Sequence, residues 1–201
     1  KDAFLTETPI QRLVDGNFHK VPIMMGSPNF EGMFISLFFQ AVPTILDHFN
    51  ANPSFIVPYT FGLQGDDPKI EEATKEVQKI YFNGNTEGTL LEWLSVYSDG
   101  IFSFSNYEVG RFHADDNTHP VFYYKFSYDG SLNFFKKNLS LGNFEGASHA
   151  DELFYLFEPS LEGFIPDANS SLVREQMTTL WTNFAKYGWV FNTFINLIFK
   201  F

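Results

Sequence analysis

Glu31 and His149 are the two side chains of this 201-residue chain best placed for acid–base chemistry. Glu31 lies five residues past Gly26, the end of the apolar run Val21–Gly26, in the loop Ser27-Pro28-Asn29-Phe30-Glu31-Gly32. That run reads as a short strand buried on both faces. In open α/β sheets, sites collect at the carboxyl ends of strands, which is where a catalytic acid would sit. His149 stands in Gly146-Ala147-Ser148-His149-Ala150, just before an apolar helical run. Its small neighbours leave room for an imidazole to move and for a substrate to approach. Taken singly, each has a plainer reading: a solvated loop glutamate, and a histidine that caps the following helix. Asp151 and Glu152 read as acidic charges at that helix's N-terminus, the favourable end of its dipole.

Other constellations carry less. His113-Ala114-Asp115-Asp116-Asn117-Thr118-His119 is a polar knot. Its spacing matches no helix face, Pro120 follows directly, and it reads as a solvated loop rather than a metal site. No phosphate-binding loop, dinucleotide fingerprint or calcium loop is present. There is no cysteine, hence no thiol nucleophile and no disulfide. The net charge of −11 argues against nucleic acid, which wants a basic stripe, and against an anionic membrane surface. The 26 Phe, 9 Tyr and 3 Trp suggest a thick core or a large apolar pocket. Asn138-Leu139-Ser140 and Asn169-Ser170-Ser171 match the N-glycosylation pattern, which matters only for a secreted chain. No signal peptide opens the sequence, Lys1 is not a methionine, and a fragment or processed product is expected. No run reaches the ~20 apolar residues of a membrane span.

The elements that must position Glu31 and His149 follow from periodicity and turn chemistry. Phe4–Asp15 reads as an extended lead-in. Met33–Asn50 is apolar with helical spacing, broken at Pro43. Asp67-Pro68 starts a helix to Phe82, with Ile70, Val77, Ile80 and Tyr81 inward. Thr86–Ser98 is a second helix, Asp99–Gly110 a further one after a short break, and Arg111–Pro120 a polar connection. Val121–Tyr128 is a strand rich in aromatic β-formers. Asp151–Phe157 is a short helix, and Ser170–Tyr187 an amphipathic one. The order predicts an α/β fold with parallel strands at Val21–Gly26 and Val121–Tyr128. Two strands make no stable sheet alone, which again points to part of a larger fold.

At this point the residues resemble a family. Gly26-Ser27-Pro28-Asn29-Phe30-Glu31-Gly32 is similar to the G-x-x-x-x-E-G acid loop of type-B carboxylesterases, the group that includes cholinesterases. Gly146–Phe157 resembles their histidine segment, G-x-x-H-x-x-E-L-x-Y-L-F, and Val121–Leu132 the strand before it. Trp181-Thr182-Asn183-Phe184-Ala185-Lys186 resembles their late W-x-x-F-A-K helix, with an insect carboxylesterase flavour. The resemblance implies the C-terminal part of an α/β-hydrolase domain over residues 1–188, Glu31 as triad acid and His149 as triad base. It also implies an apolar ester as substrate, no cofactor or metal, and a secreted, glycosylated protein. The family's nucleophile elbow G-x-S-x-G and glycine-rich oxyanion loop occur nowhere in the sequence. The chain alone is therefore expected to lack esterase activity. The alternative is a non-catalytic, cholinesterase-like adhesion or binding protein. Residues 189–201 form an atypical apolar tail, β-prone and poor in charge.

Overall fold

In the computed structural model, β1 (Ile23–Pro28) and β2 (Val121–Phe126) pair in parallel, Ile23 opposite Val121 and Pro28 opposite Phe126. The structure describes residues 4–57, 62–63, 65–116, 118–139, 141, 143–158 and 165–190. Both strands are where the sequence places them, but β1 is shifted two residues toward the C-terminus. Pro28 can close a strand because it needs no partner for an N–H, and Asn29 N–H continues the pairing onto the Phe126 carbonyl at 2.8 Å. Glu31 therefore stands three residues beyond the strand, not five.

The connection between the strands is helical. A 3₁₀ turn (Glu31–Ile35) leads into α2 (Ser36–Ala41), and α3 (Ile45–Ala51) follows the break at Pro43. A second 3₁₀ turn (Pro53–Ile56) precedes α4 (Lys69–Tyr81), where Asp67 Oδ1 accepts the Lys69 N–H at 2.9 Å. Its inner stripe is Ile70, Thr74, Val77, Gln78 and Tyr81; Ile80 falls off that stripe and is 69% exposed, contrary to expectation. The helix α5 (Leu90–Tyr97) opens on a reciprocal capping box between Thr89 and Glu92. It buries Trp93, Leu94 and Val96 in a core with Phe39, Ile56, Val77 and Phe82.

Two expectations fail here. No break separates α5 from the next helix: a π-helical turn (Ser98–Ser103) passes directly into α6 (Phe104–Asp116). That helix also runs through most of the stretch expected as a polar loop. Arg111 bonds Glu108 at 3.0 Å and Asp115 at 3.1 Å, holding the last turn, and the His113 ring packs edge-on against Phe18. The lead-in is likewise not wholly extended. Thr8 caps and Pro9 begins α1 (Pro9–Val14), with Thr8 Oγ1 accepting the Gln11 N–H.

Past β2 come α7 (Phe134–Asn138), α8 (Leu153–Leu156) and the long α9 (Ala168–Tyr187). Asp167 caps α9, and Gly188 ends it in a left-handed conformation. Phe126, Leu132, Ala147, Tyr155 and Met177 close a second core between β2 and α9. Of the atypical tail, only Trp189 and Val190 lie within the described residues.

Candidate active site

The end of β1 and the segment before α8 are stitched together by Asn29. Its Oδ1 accepts the Ala147 N–H at 2.9 Å, while Phe30 N–H donates to the Ala147 carbonyl at 3.1 Å. Gly146 takes φ +102° and lies directly against the Asn29 side chain, where a Cβ would collide with it. Ala150 follows at φ +64°. His149 thus projects from a tight loop between two residues of positive φ.

That loop is held from below by Asp151, which is fully buried. Its Oδ2 accepts the Ser148 N–H at 2.8 Å, and its Oδ1 accepts the Phe135 N–H at 2.8 Å at the start of α7. Burial nevertheless pushes its carboxyl up to about 6, against the pull of these backbone donors and the nearby Lys136. Asp151 is thus not a charge on its own helix: it caps α7 across the fold and folds back on the His149 loop. Only tertiary structure carries that information.

Glu31 and His149, 118 positions apart, meet at 2.6 Å through Oε2 and Nδ1. Glu31 is 5% exposed, and the His149 side chain is 49% exposed. Burial raises the Glu31 pKa, opposed by the hydrogen bond from His149 and by its charge. With Glu31 ionised, Nδ1 carries the proton and Nε2 becomes a free base on a ring open to an incoming group. Gly32 N–H donates to Ser98 Oγ at 2.7 Å, anchoring the Glu31 turn to the start of the π-helical turn. Two phenylalanines flank the imidazole, Phe34 with ring centroids 5.0 Å away and Phe102 at 5.5 Å. Sequence reasoning singled out neither; no periodicity marks them, because they come from a 3₁₀ turn and a π turn. Asn29 and Gly146 lie within the quoted loops, but their contact with each other joins segments far apart in sequence and could not be read.

The remaining candidates lie apart from this pair. His113, Asp115 and Asp116 sit on the last turn of α6, and among the described residues no group of three His, Asp or Glu could hold a metal ion. Asn138 and Asn169 are both exposed, one at the end of α7 and the other in the first turn of α9. A cavity of about 350 Å³ between α4 and α6 and another of about 260 Å³ between β2 and α9 are lined by neither Glu31 nor His149. Among the described residues, no single helix is long and apolar enough to cross a membrane.

The carboxylesterase family model matches residues 1–193. A juvenile hormone esterase of Tribolium castaneum is 28% identical over 199 residues, covering 93% of this chain and 34% of the relative. A carboxylic ester hydrolase of Bombus ignitus is 26% identical, again over 93% of this chain and 34% of the relative. The solved juvenile hormone esterase of Manduca sexta, with OTFP covalently attached, superposes with a TM-score of 0.73 at 26% identity. That superposition covers 94% of this chain and 36% of the solved one. The two strands and their helices are thus part of an α/β-hydrolase fold, and the chain spans about a third of the length of these relatives.

Proposed function

Because this chain belongs to the carboxylesterase family, we propose that it is the acid–base part of a serine carboxylesterase, with Glu31 as triad acid and His149 as triad base. The observation that carries this is the 2.6 Å contact between Glu31 Oε2 and His149 Nδ1 across 118 positions. The serine comes from polypeptide beyond these 201 residues. It attacks the carbonyl of an apolar ester as His149 Nε2 takes its proton. His149 then delivers that proton to the leaving alcohol. Glu31 holds the tautomer and stabilises the imidazolium without accepting the proton itself. Phe34 and Phe102 give the imidazole an apolar surround suited to such an ester. The intact protein is secreted, with Asn138 and Asn169 as glycosylation sites, and residues 1–188 form part of one hydrolase domain. A non-catalytic adhesion role has no need of a buried acid bonded to a half-exposed imidazole.

The test is a chimera in which residues 1–188 replace the matching final third of the Tribolium relative. It should hydrolyse p-nitrophenyl acetate, and His149→Ala should lower kcat about a million-fold. The shape-preserving Glu31→Gln should cost roughly 10⁴ by favouring the wrong tautomer. The 201-residue chain alone should show no turnover. Ester hydrolysis by that chain, abolished by His149→Ala, would overturn the division of the triad; full activity of a folded Glu31→Gln chimera would remove Glu31 from it.

A further inference from the structure

We propose that Ser98 is a further positioning residue of this site: from 66 positions beyond Gly32 it caps the turn that carries Glu31, and so sets where the acid stands against His149. The inference rests on the Glu31–His149 reading above. The first N–H groups of a helical turn need acceptors from outside it. In the 3₁₀ turn Glu31–Ile35 the cap position is Phe30, which makes no side-chain cap hydrogen bond. The acceptor comes instead from Ser98 Oγ, which takes the Gly32 N–H at 2.7 Å. Ser98 is 3% exposed, so solvent offers no substitute. Gly32 is pressed against the same place. A Cβ added to it would stand 2.2 Å from the Leu94 carbonyl oxygen and 2.9 Å from the Ser98 nitrogen. The Ser98 N–H donates to that Leu94 carbonyl, so the Glu31 turn is seated where α5 passes into the π-helical turn.

The same π-helical turn also reaches the base. Phe102, four residues after Ser98, has its ring centroid 5.5 Å from that of His149. Phe34, from the Glu31 turn, stands 5.0 Å from His149 and meets Phe102 edge-on at 5.8 Å. From α4, Tyr81 O–H donates to Asp99 Oδ2 at 2.8 Å, which fixes the π-helical turn to its neighbour. Turns of this kind are rare and recur at functional sites. The contacts here form a closed circuit. Ser98 ties the acid's turn to the π-helical turn, Phe102 sets that turn against the imidazole, and Nδ1 meets Glu31 Oε2 at 2.6 Å. Without the Ser98 oxygen, Gly32 N–H is buried and unpaired, and the turn must shift to satisfy it. Glu31 then moves while the imidazole stays between its two phenylalanines. The bond that fixes the tautomer lengthens, and Nε2 is less often the free base.

The experiment compares Ser98→Ala and Ser98→Thr with Thr89→Ala, which removes a cap whose hydroxyl bonds Glu92 at the far end of α5. In the 201-residue chain, the His149 Nδ1–H resonance should move upfield and exchange faster in Ser98→Ala. It should keep its wild-type position in Ser98→Thr, which retains the acceptor, and in Thr89→Ala. In the chimera described above, Ser98→Ala should lower kcat about 100-fold with KM little changed, as a misplacement of about 1 Å does, and Ser98→Thr should recover most of that loss. Should Ser98→Ala not fold, Ser98→Cys takes its place, with a similar shape and a poor acceptor. A resonance and a kcat unchanged in the folded variant overturn the proposal. So does a Thr89→Ala that moves both as far, since the effect would then be one of stability alone, or a Ser98→Thr that behaves as Ser98→Ala. A wild-type chain with no Nδ1–H resonance at any pH loses the Glu31–His149 reading itself, and this inference falls with it; a resonance present but indifferent to Ser98 sinks Ser98 alone.

Discussion

Gly146→Ala measures how tightly the His149 loop is tied to the Glu31 strand. At φ +102° an added Cβ is strained, costing about 1–3 kcal/mol for backbone alone. The Cβ would also stand 2.5 Å from both Nδ2 and Oδ1 of Asn29. Asn29 cannot turn aside freely, because its Oδ1 accepts the N–H of Ala147, a residue with no exposure. Orphaning a buried N–H costs about 1–3 kcal/mol. The two together predict a loss of roughly 2–6 kcal/mol. Gly84 supplies the control: its φ is +83°, and nothing lies within 4 Å of its Cβ position. Gly84→Ala should therefore show the backbone cost alone. In urea unfolding of the 201-residue chain, the midpoint of Gly146→Ala should fall below that of Gly84→Ala by about 1 M, for a slope near 2 kcal/mol/M. The His149 Nδ1–H proton should exchange faster only in Gly146→Ala. Equal midpoints for the two variants would refute the stitch through Asn29.

Asp151→Asn replaces one of two buried acceptors by a donor, setting N–H against N–H at Ser148 or at Phe135. It should destabilise the chain by about 3 kcal/mol in the same urea assay and increase amide exchange at Ser148. Glu152 makes stability depend on pH. Its folded pKa of about 7 lies above the ordinary 4.5, so the folded state holds the extra proton and the penalty appears as pH rises through that window. Raising a carboxyl that far corresponds to roughly 3 kcal/mol, and partial exposure screens about half of it. Glu152→Gln should therefore match the wild type at pH 4.5 and exceed it by about 1–2 kcal/mol at pH 8 by thermal unfolding; an offset equal at both pH values would contradict the sign.

What could be read ahead of the structure was whatever local chemistry determines. The cap at Asp67 and the stripe of α9 follow from side chains a few residues apart, and those helices formed where expected, whereas the helix expected from Thr86 begins only at Leu90, behind the Thr89–Glu92 capping box. The parallel pairing followed from two apolar runs joined by a long helical connection. The signal for α1 was present, since Thr8-Pro9 is a cap followed by a first-turn proline, and a reading of the segment as extended passed over it. The last turns of α6 were hidden because their support comes from the Arg111 ion pairs on a polar surface and from Phe18, far away in sequence. Glu31 and His149 stood out by motif and chain order. The role of Asn29, and that of Asp151 at the start of α7, were not legible, because each acts on a partner that only the folded chain brings near.

The 118-residue gap between Glu31 and His149 has a meaning in time as well as in space. At a synthesis rate of about 5–20 residues per second, His149 is made roughly 6–24 s after Glu31. During that interval α2 through α6, whose contacts are largely short in range, can condense while β1 waits for β2 and Glu31 has no imidazole to bond. The nascent chain thus passes through a stage in which β1 lacks β2 and Glu31 lacks His149.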